Sequence, residues 1–337
     1  MLLHDCDITT ATIQSLVKSV GSSILLKNMI IKNPYQLTKF KGIGFKRADA
    51  IALKLGVEWN DLRRLEAYIL YKLEEGGENG FSWLSSFNLI DLVKNELGDF
   101  TIEDIIKVVD KLKKEDRIWN GKKGIVASKK YYLLEREIAL ELARIQLGEK
   151  EIKEDWKDRL AFLEKTMGWE YTEEQKKAIE SIVTKTLIVV TGGAGTGKTT
   201  TVLGAKKALD ELTFSQCCLA GKGASRMHES TGYEASTIHR LLQISMFDNE
   251  STSLANITHI TPKGDKIATS LKDLTIRNSK SLFAHNSHHK LDSELIFIDE
   301  FPMIGGELFL SILKAIKTGS TLVLIGDFRQ LPAIGSL

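Results

Sequence analysis

Leu187-Ile188-Val189-Val190-Thr191-Gly192-Gly193-Ala194-Gly195-Thr196-Gly197-Lys198-Thr199-Thr200 is an apolar, β-like run that breaks into glycines and closes on Gly-Lys-Thr. Gly192, Gly197, Lys198 and Thr199 meet the pattern G-x-x-x-x-G-K-[ST], with a strand pattern before it and a helical pattern after it, which reads as a phosphate-binding loop. Glycines let the backbone turn tightly enough for its N–H groups to line an anion nest, and the following helix adds its unpaired N–H groups and partial positive charge. Residues Gly192 to Thr200 are therefore the expected ATP-binding segment. Lys198 would reach the β- and γ-phosphates, and the Thr199 hydroxyl would complete the shell of a Mg²⁺ ion. The alternative is a glycine-rich turn that binds nothing.

Downstream, Leu295-Ile296-Phe297-Ile298-Asp299-Glu300 sets two carboxylates at the C-terminal end of a buried strand, the edge where open α/β sheets bind ligands. Asp299 is the candidate Mg²⁺ ligand and Glu300 the candidate base for an attacking water, against the plainer reading of a helix cap. A further apolar run leads into Gly326-Asp327-Phe328-Arg329-Gln330-Leu331-Pro332, whose Gln330 amide could sense the γ-phosphate. Expected strands are 186–190, 216–220, 295–298 and 322–325, separated by helical patterns. That alternation describes an α/β P-loop NTPase with a parallel sheet. Residues 248–291, polar and weakly periodic, read as an irregular excursion. Its histidines His259, His285, His288 and His289 lack the cysteine or carboxylate that would complete a metal set.

The first half is different in character. Between Lys32 and Lys54 six basic residues stand against one acid, Asp49. Their centre, Phe40-Lys41-Gly42-Ile43-Gly44-Phe45-Lys46-Arg47-Ala48-Asp49, reads as a helix-hairpin-helix. Gly42 and Gly44 would let backbone N–H groups approach a phosphate while Lys41, Lys46 and Arg47 neutralise the strand. The plainer alternative is a hairpin that only packs helices together. Helical patterns follow over 62–75, ended by Gly76-Gly77, over 85–97, and from a capping box at Thr101 and Asp104 to about Glu115. Two short strands around Lys122-Lys123 then complete a winged-helix-like region, where the basic turn is either a nucleic-acid contact or a solvated tip. A long helix over 133–147 leads to the charged run 148–155. The expected division is 1–75, 76–147, a linker over 148–168, and a motor lobe over 169–337.

Composition sets bounds on the class. The chain has 337 residues, 43% hydrophobic and 27% charged, with a net charge of +2, as an ordinary globular protein of two or three domains would. No apolar run approaches the length of a membrane span and the N-terminus lacks the form of a signal peptide, so no membrane partner and a cytoplasmic location are expected. Three cysteines, Cys6, Cys217 and Cys218, make no disulfide framework and no metal spacing.

The ordered set now resembles a known family. Tyr171-Thr172-Glu173-Glu174-Gln175, the P-loop, Gly223-Ala224-Ser225-Arg226-Met227, Ala235-Ser236-Thr237-Ile238-His239, Asp299-Glu300 and Gly326 to Pro332 are similar to the first RecA-like lobe of RecD-like superfamily 1 DNA helicases. Asn33-Pro34-Tyr35-Gln36-Leu37 and the hairpin are similar to the helix-hairpin-helix region of the longer RecD-like proteins. The resemblance implies an ATP- and Mg²⁺-dependent 5′→3′ translocase on single-stranded DNA. Gln175 would then contact adenine, Gln330 the γ-phosphate, and Lys222, Arg226, Thr237 and His239 the DNA backbone. Two departures stand out: Ala220-Gly221-Lys222-Gly223 replaces a Pro-Thr-Gly-Arg-like run, and Phe301-Pro302-Met303 follows the acids where Ala-Ser-Met is usual. The family continues into a second RecA-like lobe, so this chain is expected to be a partial motor that binds ATP and DNA, completed by that lobe in cis or in trans. A nucleotide-responsive DNA-binding protein, or a subunit without helicase activity of its own, is the alternative.

Overall fold

Side-chain oxygens start most of the N-terminal helices. Thr9 caps α1 (Thr10–Val20), Ser22 caps α2 (Ser23–Lys32), and Asn33 accepts from the Tyr35 N–H to open a 3-10 turn, Pro34–Lys39. The chain then turns at Gly42, φ +87°, and re-enters a helix at α3 (Phe45–Lys54), whose N-cap is Gly44. The structure is a computed structural model, and it describes residues 8–40, 42–98, 100–152, 154–193, 195–244, 257–260, 266–269 and 283–327. The chain divides into two compact units, one up to Glu135 and one from Arg136.

In the first unit, α4 (Leu62–Glu78) runs through Gly76-Gly77, where the sequence suggests a stop. Packing explains the difference. A Cβ on Gly77 would stand 2.0 Å from the Tyr131 ring, so the glycine serves close approach inside a helix rather than its end. Strand β1 (Trp83–Ser85) precedes α5 (Ser86–Glu96), and the reciprocal Thr101/Asp104 box opens α6 (Ile102–Lys114). Strands β2 (Ile118–Asn120) and β3 (Ile125–Ser128) pair antiparallel, and β1 joins β3 on its other side, giving the order β1-β3-β2. The winged-helix-like region thus has a third strand that the pattern of two short strands did not reveal.

A buried ion pair fastens this unit. Arg64 donates from Nε and Nη2 to the two Asp49 carboxylate oxygens at 2.9 and 3.0 Å, and the Tyr35 hydroxyl donates to Oδ1 at 2.8 Å. Burial and the Asp49 charge hold the Tyr35 phenol well above its usual range, so it stays a donor.

The second unit begins inside α7 (Lys129–Gln146). Residues 148–168, read above as a linker, include α8 (Trp156–Met167), and Trp156 and Leu160 are buried in the core with Ile179 and Phe297. The charged run before it conceals this helix in the sequence. After α9 (Glu173–Thr184) comes β4 (Leu187–Thr191), α10 (Lys198–Ala208), β5 (Phe214–Cys218), α11 (Gly221–Thr231), β6 (Ala235–Thr237) and the short α12 (Ile238–Leu242). A separate antiparallel pair, β7 (Ile257–Ile260) with β8 (Lys266–Thr269), precedes β9 (Leu295–Asp299), α13 (Gly306–Ala315) and β10 (Thr321–Gly326). The remainder of 248–282 lies outside the described residues.

The main sheet has five strands in the order β4-β10-β9-β5-β6, all parallel. Both faces are covered, as parallel sheets require. Leu295, Phe297, Val323 and Ile325 pack toward α8, α9 and α10, while Ile296, Ile298, Leu322 and Leu324 pack toward α12, α13 and the end of α7. The fold is thus the expected RecA-like α/β sheet, preceded by a mainly helical region; β6 is the strand the sequence reading left out.

Lys150 ties the segment before α8 to α9 by donating to the Ile182 carbonyl at 2.8 Å. Burial lowers its pKa to about 8. Between pH 8 and 10 the native amine is neutral while the unfolded one still holds its proton, so stability rises with pH across that window. The wild-type melting temperature should climb by roughly 2–4 °C relative to Lys150→Met from pH 8 to 10. Parallel curves for the two proteins would contradict this.

Candidate functional site

Because all five strands run the same way, their C-terminal ends share one edge. Gly326 pairs with Thr191, Leu324 with Ile298, and Cys218 with both Asp299 and Thr237. The loop after β4, the acids after β9 and the turn after β10 therefore emerge side by side.

Two glycines shape the loop. Gly195 (φ +74°) and Gly197 (φ +80°) take left-handed conformations, and Gly197 starts α10 with no side-chain cap. Lys198 folds back over the loop, its Nζ donating to the Gly192 and Gly193 carbonyls at 2.7 Å each. Thr196 donates to Gly193 O at 2.9 Å, and Thr199 and Thr200 sit half-buried in the first turn of α10. Gln175 approaches from α9: its Oε1 accepts from the Thr172 N–H at 3.0 Å in a capping box. Its Nε2 faces the loop, since a Cβ on Gly197 would stand 2.4 Å from it.

Glu300 has φ +56°, and its N–H donates to Asp299 Oδ1 at 2.8 Å. A non-glycine residue held there costs ~1 kcal/mol or more, a cost that recurs at functional turns. The Glu300 carboxylate lies over α11, with Oε2 3.4 Å from where a Gly223 Cβ would be. The Cys218 thiol donates to Ala220 O at 2.8 Å. Burial, with Glu300 and Asp299 adding, raises its pKa, so it remains a protonated thiol.

Pro302 gives the acid turn a seat. It lies in the 3-10 turn Phe301–Met303, and a Cβ on Gly326 would meet its Cδ at 2.5 Å. The Gly326 carbonyl in turn accepts from the Gly192 N–H at 3.3 Å. Acids, β10 and P-loop are thus joined in one short chain of contacts. The sequence reading quoted Gly223 and Gly326 within motifs and Cys218 as one of three unpaired cysteines, but gave none of them a place in the site; the only signals were a Gly-x-Gly after one strand and a glycine ending another.

Lys222 and Arg226 are exposed on α11. The Thr237 hydroxyl caps α12, accepting from the Arg240 N–H at 3.3 Å. His239 is half-buried against Phe283, and burial lowers its pKa. In the first unit, Gly42, Gly44, Lys46 and Arg47 are exposed, and Arg47 Nη1 donates to Gly42 O at 2.7 Å. Open space surrounds both glycines. Lys41, Ala194 and Gln330 lie outside the described residues. Among the described residues no three His, Cys, Asp or Glu side chains gather as a metal cluster, and no helix is long and apolar enough to cross a membrane.

Comparison with known proteins gives the site its context. The family model described as the ATP-dependent RecD2 DNA helicase HHH domain matches residues 1–81, and that of the AAA domain matches residues 175–336. The ATP-dependent RecD2 DNA helicase of Deinococcus radiodurans is 27% identical over 346 residues, covering 98% of this chain. Both parts of the chain resemble RecD-like superfamily 1 helicases. The chain spans 43% of the length of that relative. The RecBCD enzyme subunit RecD of Mycobacterium tuberculosis is 30% identical over 164 residues, 48% of this chain and 27% of its own length. A crystal structure of Bacteroides sp. Pif1 in complex with ADP-AlF4 covers 48% of this chain and 33% of its own, at 24% identity and a TM-score of 0.30. The RecD-like acid turn carries Pro302 here, and its fit against Gly326 is testable. Gly326→Ala should lower the melting temperature as an overpacking change of ~1–3 kcal/mol, and adding Pro302→Ala should restore most of the loss. Simple additivity of the two effects would contradict the contact.

Proposed function

We propose that this chain supplies the ATP-binding and DNA-binding parts of a 5′→3′ DNA helicase of the RecD type, acting in the cytoplasm. The observation that carries the reading is the shared edge: a P-loop lysine and a first-turn threonine after β4 and two acids after β9 emerge on the same side of the sheet, with β10 between them. The residues fit the groups they would hold. Lys198 rests on loop carbonyls with donors that can turn to the β- and γ-phosphates, and the left-handed glycines leave the loop and the uncapped helix start without side chains in the way. Thr199 and Asp299 would hold Mg²⁺, which supplies charge neutralisation between the phosphates. Glu300 would accept the proton of the attacking water. Gln175 would meet the adenine and Gln330 the γ-phosphate.

Backbone phosphates of single-stranded DNA would lie against Lys222, Arg226, Thr237 and His239, and against Lys41, Gly42, Gly44, Lys46 and Arg47 of the hairpin. Such contacts bind without reading sequence and weaken steeply with salt. The described ATP groups come from one sheet edge, so we place a second RecA-like lobe, in cis or in trans, on the far side of the nucleotide. Supplying an arginine from across a cleft is worth ~10³–10⁵ in turnover for related NTPases. Residues 1–337 alone should therefore bind Mg-ATP, hydrolyse it slowly and separate no strands.

Two substitutions divide binding from chemistry. Lys198→Ala should weaken Mg-ATP binding by ~100-fold or more, whereas Glu300→Gln should keep the affinity within about threefold and lower turnover by ~10²–10⁴. Calorimetric titration and phosphate release measure the two. Unchanged affinity in the first variant, or unchanged turnover in the second, would overturn the assignments.

A further inference from the structure

The small sheet of the first unit has an outer face that the nucleotide edge does not use. Trp83 and Trp119 both pair with Ala127, one from each side, so the three side chains form a row on one face. The next row, Leu84, Val126 and Asn120, points the other way, and Val126 and Leu84 join the core. With strands ~4.8 Å apart, the two indoles flank a single methyl group at roughly 10 Å from each other at the backbone.

The row is aromatic and braced, with Ala127 buried between the rings and Trp83 open to solvent. Trp83 is 50% exposed. Trp119 stacks on Tyr132 with ring centres 4.6 Å apart and planes 7° from parallel, and the backbone at Gly121 closes against it, since a Cβ there would stand 2.2 Å from the indole. Lys129 lies 5.7 Å from the Tyr132 ring centre and also pairs with Asp116. Phe87, 72% exposed, follows Ser86, whose hydroxyl donates to Gly124 O at 2.8 Å, so it stands beside the basic turn.

Charge identifies the occupant. From Arg117 to Tyr132 the chain carries five basic residues (Arg117, Lys122, Lys123, Lys129, Lys130) and no acidic one; Arg117 pairs with Glu66 and Glu115 and Lys129 with Asp116, while Lys122 is exposed at the turn. The apolar core of a protein–protein contact is depleted of charge, whereas braced aromatic rings among lysines suit a polymer with flat apolar rings and regular negative charge. A duplex hides the faces of its bases; a single strand offers them. We infer that this face binds single-stranded DNA by stacking, with Trp83 as the platform for an unpaired base and the exposed Lys122 turned to the adjoining phosphate. The inference rests on the DNA-binding reading above but assigns a separate contact surface.

Fluorescence anisotropy of the full chain 1–337 with labelled oligothymidylate tests it. Trp83→Ala should lower affinity by ~5–150-fold, the range of one lost stacking contact, and by the same factor at low and high salt. Trp83→Phe should recover most of the loss, and affinity for blunt duplex should change less than about twofold. Lys122→Glu should instead reduce the salt slope by ~0.7. In the wild type, independently of any variant, photocrosslinking to 5-iodouracil DNA should map to Trp83 or Trp119.

Unchanged single-strand affinity in Trp83→Ala, crosslinks confined to other regions, or altered self-association of that variant with unaltered DNA binding would each overturn the inference. If Lys46→Glu with Arg47→Glu weakens binding while Trp83→Ala does not, this surface alone is refuted. If the wild type binds no DNA, this inference and the DNA-binding reading fall together.

Discussion

Parallel pairing is the constraint on which the second unit depends. Two parallel neighbours cannot be joined by a tight turn, so each return runs through a helix and the strands finish on a common side. The register then does the assembly: Thr191, Gly326, Asp299, Cys218 and Thr237 end in step although 135 positions separate Thr191 from Gly326 in the sequence. Burial of β9 and β10 on both faces makes this edge stiff. The strained Glu300 backbone and the Pro302–Gly326 contact persist because the surrounding packing holds them.

The first unit is organised by a polar device. Arg64 and Asp49 are both buried and satisfy one another bidentately, with Tyr35 closing a remaining acceptor. A buried ion pair is a poor source of net stability, but losing one partner leaves an uncompensated charge at a cost of ~3–5 kcal/mol. Its effect here is orientation: it ties α3, which follows the glycine hairpin, to α4 and to the 3-10 turn before the hairpin. Lys46 and Arg47 are thereby kept outward on a helix whose inner face is fixed.

Much of this was legible in the sequence, and the exceptions have physical reasons. The apolar runs before Gly192, Asp299 and Asp327 mark β4, β9 and β10 within a residue or so; β9 and β10 are buried on both faces and tolerate no polar interruption, while β4 is an apolar strand at the sheet edge with Val189 exposed. Strand β6 has three residues of middling polarity at the sheet's outer position and gives no such signal. Helix α8 is hidden because Trp156 and Leu160 are its only buried residues, five of its twelve positions are charged, and a charged run precedes it. Gly76-Gly77 resembles a stop until Tyr131, more than fifty residues on, is known to press against it. The same holds for Trp83, whose strand is defined by pairing with a partner forty residues away. Pro302 stands in the sequence only as a departure from the usual run, yet its ring fills the space that a glycine leaves at the end of β10. Long-range contacts of this kind carry no local pattern.

The central claim is that one sheet edge holds the nucleotide, and hydrogen exchange with and without a non-hydrolysable Mg-ATP analogue tests it most directly. The account expects slowed exchange at Gly192 to Thr200 and around Asp299 to Met303 and Gly326, with no change at the opposite edge near Thr186, Thr213, Glu294 and Thr321. Protection at that opposite edge, or none at the P-loop under saturating analogue, would contradict it.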